Sequence, residues 1–128
     1  MDRDPDSTFA SAFRLVESRT EPGRGRFAVE VVAGGPFFEG HFPGAPILPA
    51  VAQLVLIEAL LRRLPGSSEA IVGIESLRLL NAISPADVIE VRLEQDRDAD
   101  AASMSFEVVG ERGPISQGRL LLRRAAPG

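Results

Sequence analysis

The stretch from Ala50 to Leu64 sets the strongest limit on the fold, because its only polar residues are Gln53, Glu58, Arg62 and Arg63. Pro49 stands at its head, in the first-turn position that proline favours, and Pro65-Gly66-Ser67-Ser68 stops it. A helix that is apolar nearly all round has no face to offer water, so other structure must wrap it. A bilayer is a poor candidate for that wrapping. The longest apolar run, Ala50 to Leu61, is broken by Gln53 and Glu58 and falls short of the roughly 20 residues a membrane span needs.

Strands supply the wrapping. Arg26 to Val32 alternates, with Phe27, Val29 and Val31 on one face and Arg26, Ala28 and Glu30 on the other, the pattern of a half-buried strand. Glu21-Pro22-Gly23-Arg24-Gly25 reads as a turn before it, and Phe9 to Ser18 suits either a first strand or a short helix. Ile71 to Leu80 is apolar on both faces for much of its length, and Val88 to Glu94 alternates. Met104, Phe106 and Val108 share a face, and Ile115 to Arg124 closes the series. The connections after Ser68 (Ser84-Pro85-Ala86-Asp87, the acidic tip Asp96 to Asp100, and Gly110 to Gly113) leave no room for crossover helices. The strands are therefore expected to be antiparallel. One buried helix with about five such strands predicts an α+β fold, a curved sheet wrapped round a central helix.

The 128 residues suit one domain, 1–128, with residues 1–7 and 125–128 as frayed ends. A formal net charge of −4, with no Tyr and no Trp, argues against nucleic acid, since phosphate neutralisation and base stacking lack their usual residues. With no Cys and one His, neither a disulfide framework nor an ordinary zinc or iron ligand set is expected. Residues 1–7 are acidic and polar, unlike an export signal, so the expected location is cytoplasmic.

The single histidine lies just ahead of the helix, in Gly40-His41-Phe42-Pro43-Gly44-Ala45-Pro46-Ile47-Leu48-Pro49. An imidazole takes and returns a proton near neutrality. Prolines fix φ and bias the residues before them toward extended shapes. His41 is thus a candidate catalytic base on a stiff loop; the plainer reading is a structural histidine bonded to loop carbonyls. For Phe37 and Phe38, core packing and substrate contact both fit. Glu39 either orients the imidazole or faces solvent.

The segment Phe37-Phe38-Glu39-Gly40-His41-Phe42-Pro43-Gly44-Ala45-Pro46-Ile47-Leu48-Pro49 resembles the signature of the 3-hydroxyacyl-[acyl-carrier-protein] dehydratases. In that family Phe-Phe-x-Gly-His-Phe-Pro-Gly-x-Pro-x-x-Pro-Gly opens the central helix of a hot-dog fold. The likeness continues in Gly73-Ile74-Glu75-Ser76-Leu77-Arg78-Leu79-Leu80 and in Ile83-Ser84-Pro85-Ala86-Asp87. Val51-Ala52-Gln53-Leu54 is most similar to the branch of aryl-polyene-type pathways.

The resemblance implies a hot-dog protein acting as a dimer or a multiple of dimers, with the acyl chain in a tunnel along the subunit interface. It implies a substrate borne on the phosphopantetheine of acyl carrier protein and no further cofactor. The 3-hydroxyacyl thioester would lose water to give the trans-2-enoyl thioester. His41 would remove the α-proton, and the Ala50 backbone amide would polarise the thioester carbonyl. First-turn amides suit that role because they lack intrahelical partners and point at incoming negative charge. Phe38, Gly44, Gln53 and Val55 are the accompanying substrate-site candidates.

Two departures from the family pattern matter. Ala50 replaces the second Gly after Pro; its methyl narrows the approach of the thioester. The family's helix acid, fourteen positions after the histidine, is Val55 here. Elimination needs a proton donor for a poor leaving group, and general acid help is typically worth about 10²–10⁴-fold. Glu58, three residues on, lies roughly one turn along and about 60° round the helix, and its side chain leans back toward Val55. It is the candidate relocated acid; its i,i+4 spacing to Arg62 offers an ion pair instead. Gln53 can hydrogen-bond a hydroxyl or a water but cannot donate a proton with net transfer.

Three readings follow. The first is an enzyme, a 3-hydroxyacyl-thioester dehydratase of fatty acid, polyene or polyketide assembly, with the proton returned by Glu58 or by His41 itself. The second is an acyl-binding protein, or a subunit paired in a homodimer or heterodimer with a dehydratase-like homologue that supplies the missing carboxylate. The third is a hot-dog thioesterase, which the absence of a helix carboxylate disfavours as well.

Overall fold

The computed structural model describes residues 13–32, 50–65, 69–81, 83, 87–96 and 102–124. Among them are six strands and one helix: β1 (Phe13–Glu21), β2 (Arg24–Val31), α1 (Ala50–Leu61), β3 (Glu69–Leu79), β4 (Val88–Gln95), β5 (Ser103–Gly110) and β6 (Gly113–Arg124). They form one antiparallel sheet in the order β1-β2-β4-β5-β6-β3. The expected α+β layout is observed, with six strands where about five were expected. Of the segment Phe9 to Ser18, read as strand or helix, residues 9–12 lie outside the described residues and Phe13 to Ser18 belong to β1. Its turn tightens to Pro22-Gly23, and Gly23 takes φ 79°, a conformation that favours glycine.

The helix ends at Leu61 rather than Leu64. Pro65 disfavours helical backbone at the residue before it, and the chain leaves through tighter bonds, Arg63 N–H to Leu60 O at 3.0 Å and Leu64 N–H to Leu61 O at 3.1 Å. Leu64 nevertheless stays buried. The enclosed helix packs Ala52, Leu56, Ile57, Leu60 and Leu61 against the inward rows of the sheet, Phe27, Val29, Ile89, Val91, Leu93, Met104, Phe106 and Leu120. These rows follow the period-two pattern read in the sequence.

The outward rows are a lattice of charges. Arg92 bridges Glu90 at 2.9 Å and Glu107 at 2.8 Å, and Arg26 reaches Glu90 at 3.0 Å. Glu90, and to a lesser degree Glu107, hold the Arg92 guanidinium above its ordinary value.

The two sheet edges differ. β1 is studded with Arg14, Glu17, Arg19 and Glu21 and carries a bulge between Leu15 and Glu17, features that blunt an edge against further pairing. β3 carries Val72, Ile74, Leu77 and Leu79 at 59%, 49%, 37% and 55% exposure. In register, Ile74 faces Leu120, Leu77 faces Gly118 and Leu79 faces Ser116. Cross-strand partners share a face, and Leu120 and Ser116 are fully buried. Three of the apolar residues therefore lie on the core side of β3 and yet remain uncovered.

Candidate functional site

The site candidates fall into two groups. His41, Gly44 and Phe38 lie outside the described residues. Ala50, Gln53, Val55 and Glu58 are on α1, where Ala50 is the first helical residue. An opening residue of a helix has a backbone N–H without an intrahelical acceptor, so the chain's α1 begins at the position where an oxyanion donor was expected.

Gln53, one turn in, is 6% exposed, and its Oε1 accepts a 2.7 Å hydrogen bond from the Oγ of Ser116 on β6, itself 0% exposed. The Ser116 hydroxyl and the acceptor end of Gln53 satisfy each other, which offsets part of the cost of burying them. Sequence reading passed over Ser116. The available signal was its phase: Ser116, Gly118, Leu120 and Leu122 alternate with outward residues, placing a hydroxyl on the core face of β6.

Val55 is half-buried and presents only hydrocarbon. Glu58 has both carboxylate oxygens engaged. One pairs with Arg62 at 3.2 Å, and the other accepts the backbone N–H of Ile71 on β3 at 3.3 Å. The i,i+4 pair read as the plain alternative is thus formed, and a tie to β3 is added. Arg62 lies just past the end of α1, and Ile71 lies on β3.

Where the sheet opens outward, a groove of about 570 Å³ is lined by Arg24, Arg26, Arg92, Glu94, Ser105 and Glu107. It contains none of the candidate residues, and its walls are the paired charges of the outer face. No helix among the described residues is long and apolar enough to cross a membrane.

Comparison with known proteins agrees with this architecture. A family model described as ApeI-like, ApeI dehydratase, matches residues 17–119. The 3-hydroxyacyl-[acyl-carrier-protein] dehydratase FabZ of Ruminiclostridium cellulolyticum is 38% identical over 92 residues, 64% of this chain and 65% of that protein, just under two thirds of its length. The FabZ of Pelotomaculum thermopropionicum is 34% identical over 114 residues, 77% of this chain and 79% of that protein. Among solved structures, the dehydratase heterocomplex ApeI:P from Xenorhabdus doucetiae superposes with a TM-score of 0.73 at 19% identity, covering 87% of this chain and 97% of that one. The sheet wrapped round α1 is the hot-dog fold. With a family model matched from β1 into β6, across His41 and the central helix, the chain belongs to the ApeI-like dehydratase family.

Proposed function

We propose that this chain converts a 3-hydroxyacyl thioester, carried on the phosphopantetheine of acyl carrier protein, to the trans-2-enoyl thioester, in fatty acid, polyene or polyketide biosynthesis. The observation that carries the reading is the family match through residues 17–119, which takes in His41 and the motif around it. In the proposed reaction His41 takes the α-proton, the C3–O bond breaks, and the hydroxyl leaves as water. The Ala50 amide holds the developing negative charge on the thioester oxygen, while Phe38, Gly44, Gln53 and Val55 line the substrate. Glu58 is already occupied by Arg62 and Ile71, which favours His41 as the group that returns the proton to the leaving hydroxyl.

A carrier-protein-bound 3-hydroxyacyl substrate and its free pantetheine thioester test the reading together. Enoyl formation that disappears in His41→Ala supports it; a protein that is folded and dehydrates neither substrate, alone or with a partner chain, refutes it.

Val55 at the family's acid position favours a second reading, in which the chain is one subunit of a pair and a homologue supplies the carboxylate. The uncovered core-side residues of β3, Ile74, Leu77 and Leu79, support pairing with a second hot-dog chain. Activity that emerges only when a dehydratase-like homologue is added would select this reading over the self-sufficient enzyme.

A further inference from the structure

We propose that Ser116 is a positioning residue, which holds Gln53 so that its amide donates to the 3-hydroxyl of the substrate; the inference rests on the thioester reading above. Gln53 is the one hydrogen-bonding side chain between Ala50 and Ile57, the first two turns of α1. Helical side chains lean toward the N-terminus, so Gln53 stands over the first turn, whose N–H groups lack intrahelical acceptors. A primary amide has one acceptor end and one donor end. The acceptor end, Oε1, takes the Ser116 Oγ–H at 2.7 Å. That bond occupies the acceptor end and leaves the amino end, with its two N–H donors, to another partner.

A hydroxyl oxygen is the complementary acceptor. In a 3-hydroxyacyl thioester it lies two carbons from the carbonyl, within the reach of the ~4.5 Å of helical rise that separates Gln53 from Ala50. The surroundings match the rest of such a molecule. Leu79, the cross-strand partner of Ser116, is 55% exposed, and Leu77 and Ile74 continue the same core-side row along β3. A buried amide at the head of an uncovered apolar row suits a ligand with a polar group near one end and an aliphatic tail. A bond serving only to hold the helix to the sheet would lower the melting temperature when removed and leave ligand choice unchanged.

Calorimetric binding of two probes separates these cases, in the His41→Ala background so that the ligand is not consumed. The probes are 3-hydroxyoctanoyl-pantetheine and octanoyl-pantetheine, with the melting temperature of each variant recorded. The parent is expected to bind the hydroxyacyl probe about tenfold more tightly than the plain acyl probe, the worth of one well-made hydrogen bond. Ser116→Ala, and the near-isosteric Ser116→Cys if alanine disturbs folding, should bring that preference to within about twofold, and Ser116→Thr should restore it. A preference absent from the parent, or unchanged in folded Ser116→Ala and Ser116→Cys, overturns the proposal. A Ser116-dependent preference in a protein whose native form dehydrates nothing would refute the reaction and uphold the positioning role.

Discussion

The Glu58 carboxylate on the central helix accepts the backbone N–H of Ile71 on the edge strand at 3.3 Å. Its other oxygen binds Arg62 at 3.2 Å, with side-chain exposures of 33% for Glu58 and 42% for Arg62. The ion pair is open enough to water that it contributes little. The bond to Ile71 is the greater structural asset, because it satisfies a main-chain donor of β3. Glu58→Gln keeps an acceptor oxygen for Ile71 and should unfold within about 0.5 kcal/mol of the parent. Glu58→Ala should lose about 1–2 kcal/mol by leaving the amide without its partner. Dehydration of the thioester probe is expected to survive Glu58→Gln; a fall of 10²-fold or more, in a protein of unchanged stability, would assign the acid to Glu58 after all.

Gly118 is fixed by contact rather than by backbone angle. A Cβ there would come within 2.2 Å of the Ser76 carbonyl oxygen on β3 and 2.9 Å of the Phe106 ring. The ring can turn, but the carbonyl belongs to the paired strand and cannot yield without opening β3–β6. Gly118→Ala should therefore destabilise by about 2 kcal/mol or more, read as a lower denaturation midpoint with an unchanged slope. An unaltered midpoint would mean that β3 shifts freely against β6.

Sheet and helix were legible because their signals are local. Phe27, Val29 and Val31, or Met104, Phe106 and Val108, announce a strand by alternation alone, and each row is buried. The segment around Val16 was ambiguous because β1 is an edge with a bulge between Leu15 and Glu17, which breaks the alternation that would have declared it. Strand order was not readable: β3 reaches the far side of β6 by contacts distant in sequence. The same remoteness hid Ser116, which acquires a role only when β6 is laid beside the helix. At the proposed site the sequence identified Gln53 and Val55 from a motif register, whereas the engagement of Glu58 by Ile71 depends on where β3 crosses the helix.

The apolar row on β3 leads to a prediction about assembly. An eleven-residue edge strand with Ile74, Leu77 and Leu79 uncovered on its core side invites pairing or aggregation unless a partner covers it. Leu77→Lys should leave the monomer's own core intact, since Leu77 faces only Gly118 across the strand pair. Sedimentation velocity is expected to show the parent as a dimer and Leu77→Lys as a monomer at the same concentration. A parent that sediments as a monomer alone but as a heterodimer with a dehydratase-like homologue would identify the occupant as that second chain. A parent that is monomeric under both conditions would refute pairing through this face.

Val55 offers the most direct question about the chemistry. It is half-buried on the helix turn after Gln53, so a longer polar side chain has a partly open path rather than a sealed core. Val55→Glu places a carboxyl at the position from which the family's acid would act. The cost in stability should be about 1–2 kcal/mol, from placing a carboxylate at a half-buried helix position in place of an apolar side chain. Against that, a positioned general acid is typically worth about 10²–10⁴-fold, so dehydration of a 3-hydroxyacyl pantetheine thioester should rise on the order of 10²-fold. The gain should vanish in Val55→Glu combined with His41→Ala, because a donor without a base completes no elimination. Val55→Gln, of nearly the same size but with no proton to give, is expected to match the parent. A rise in Val55→Gln equal to that in Val55→Glu would attribute the effect to polarity in the channel. No rise in a folded Val55→Glu would mean that a carboxyl at this helix position does not reach the leaving hydroxyl.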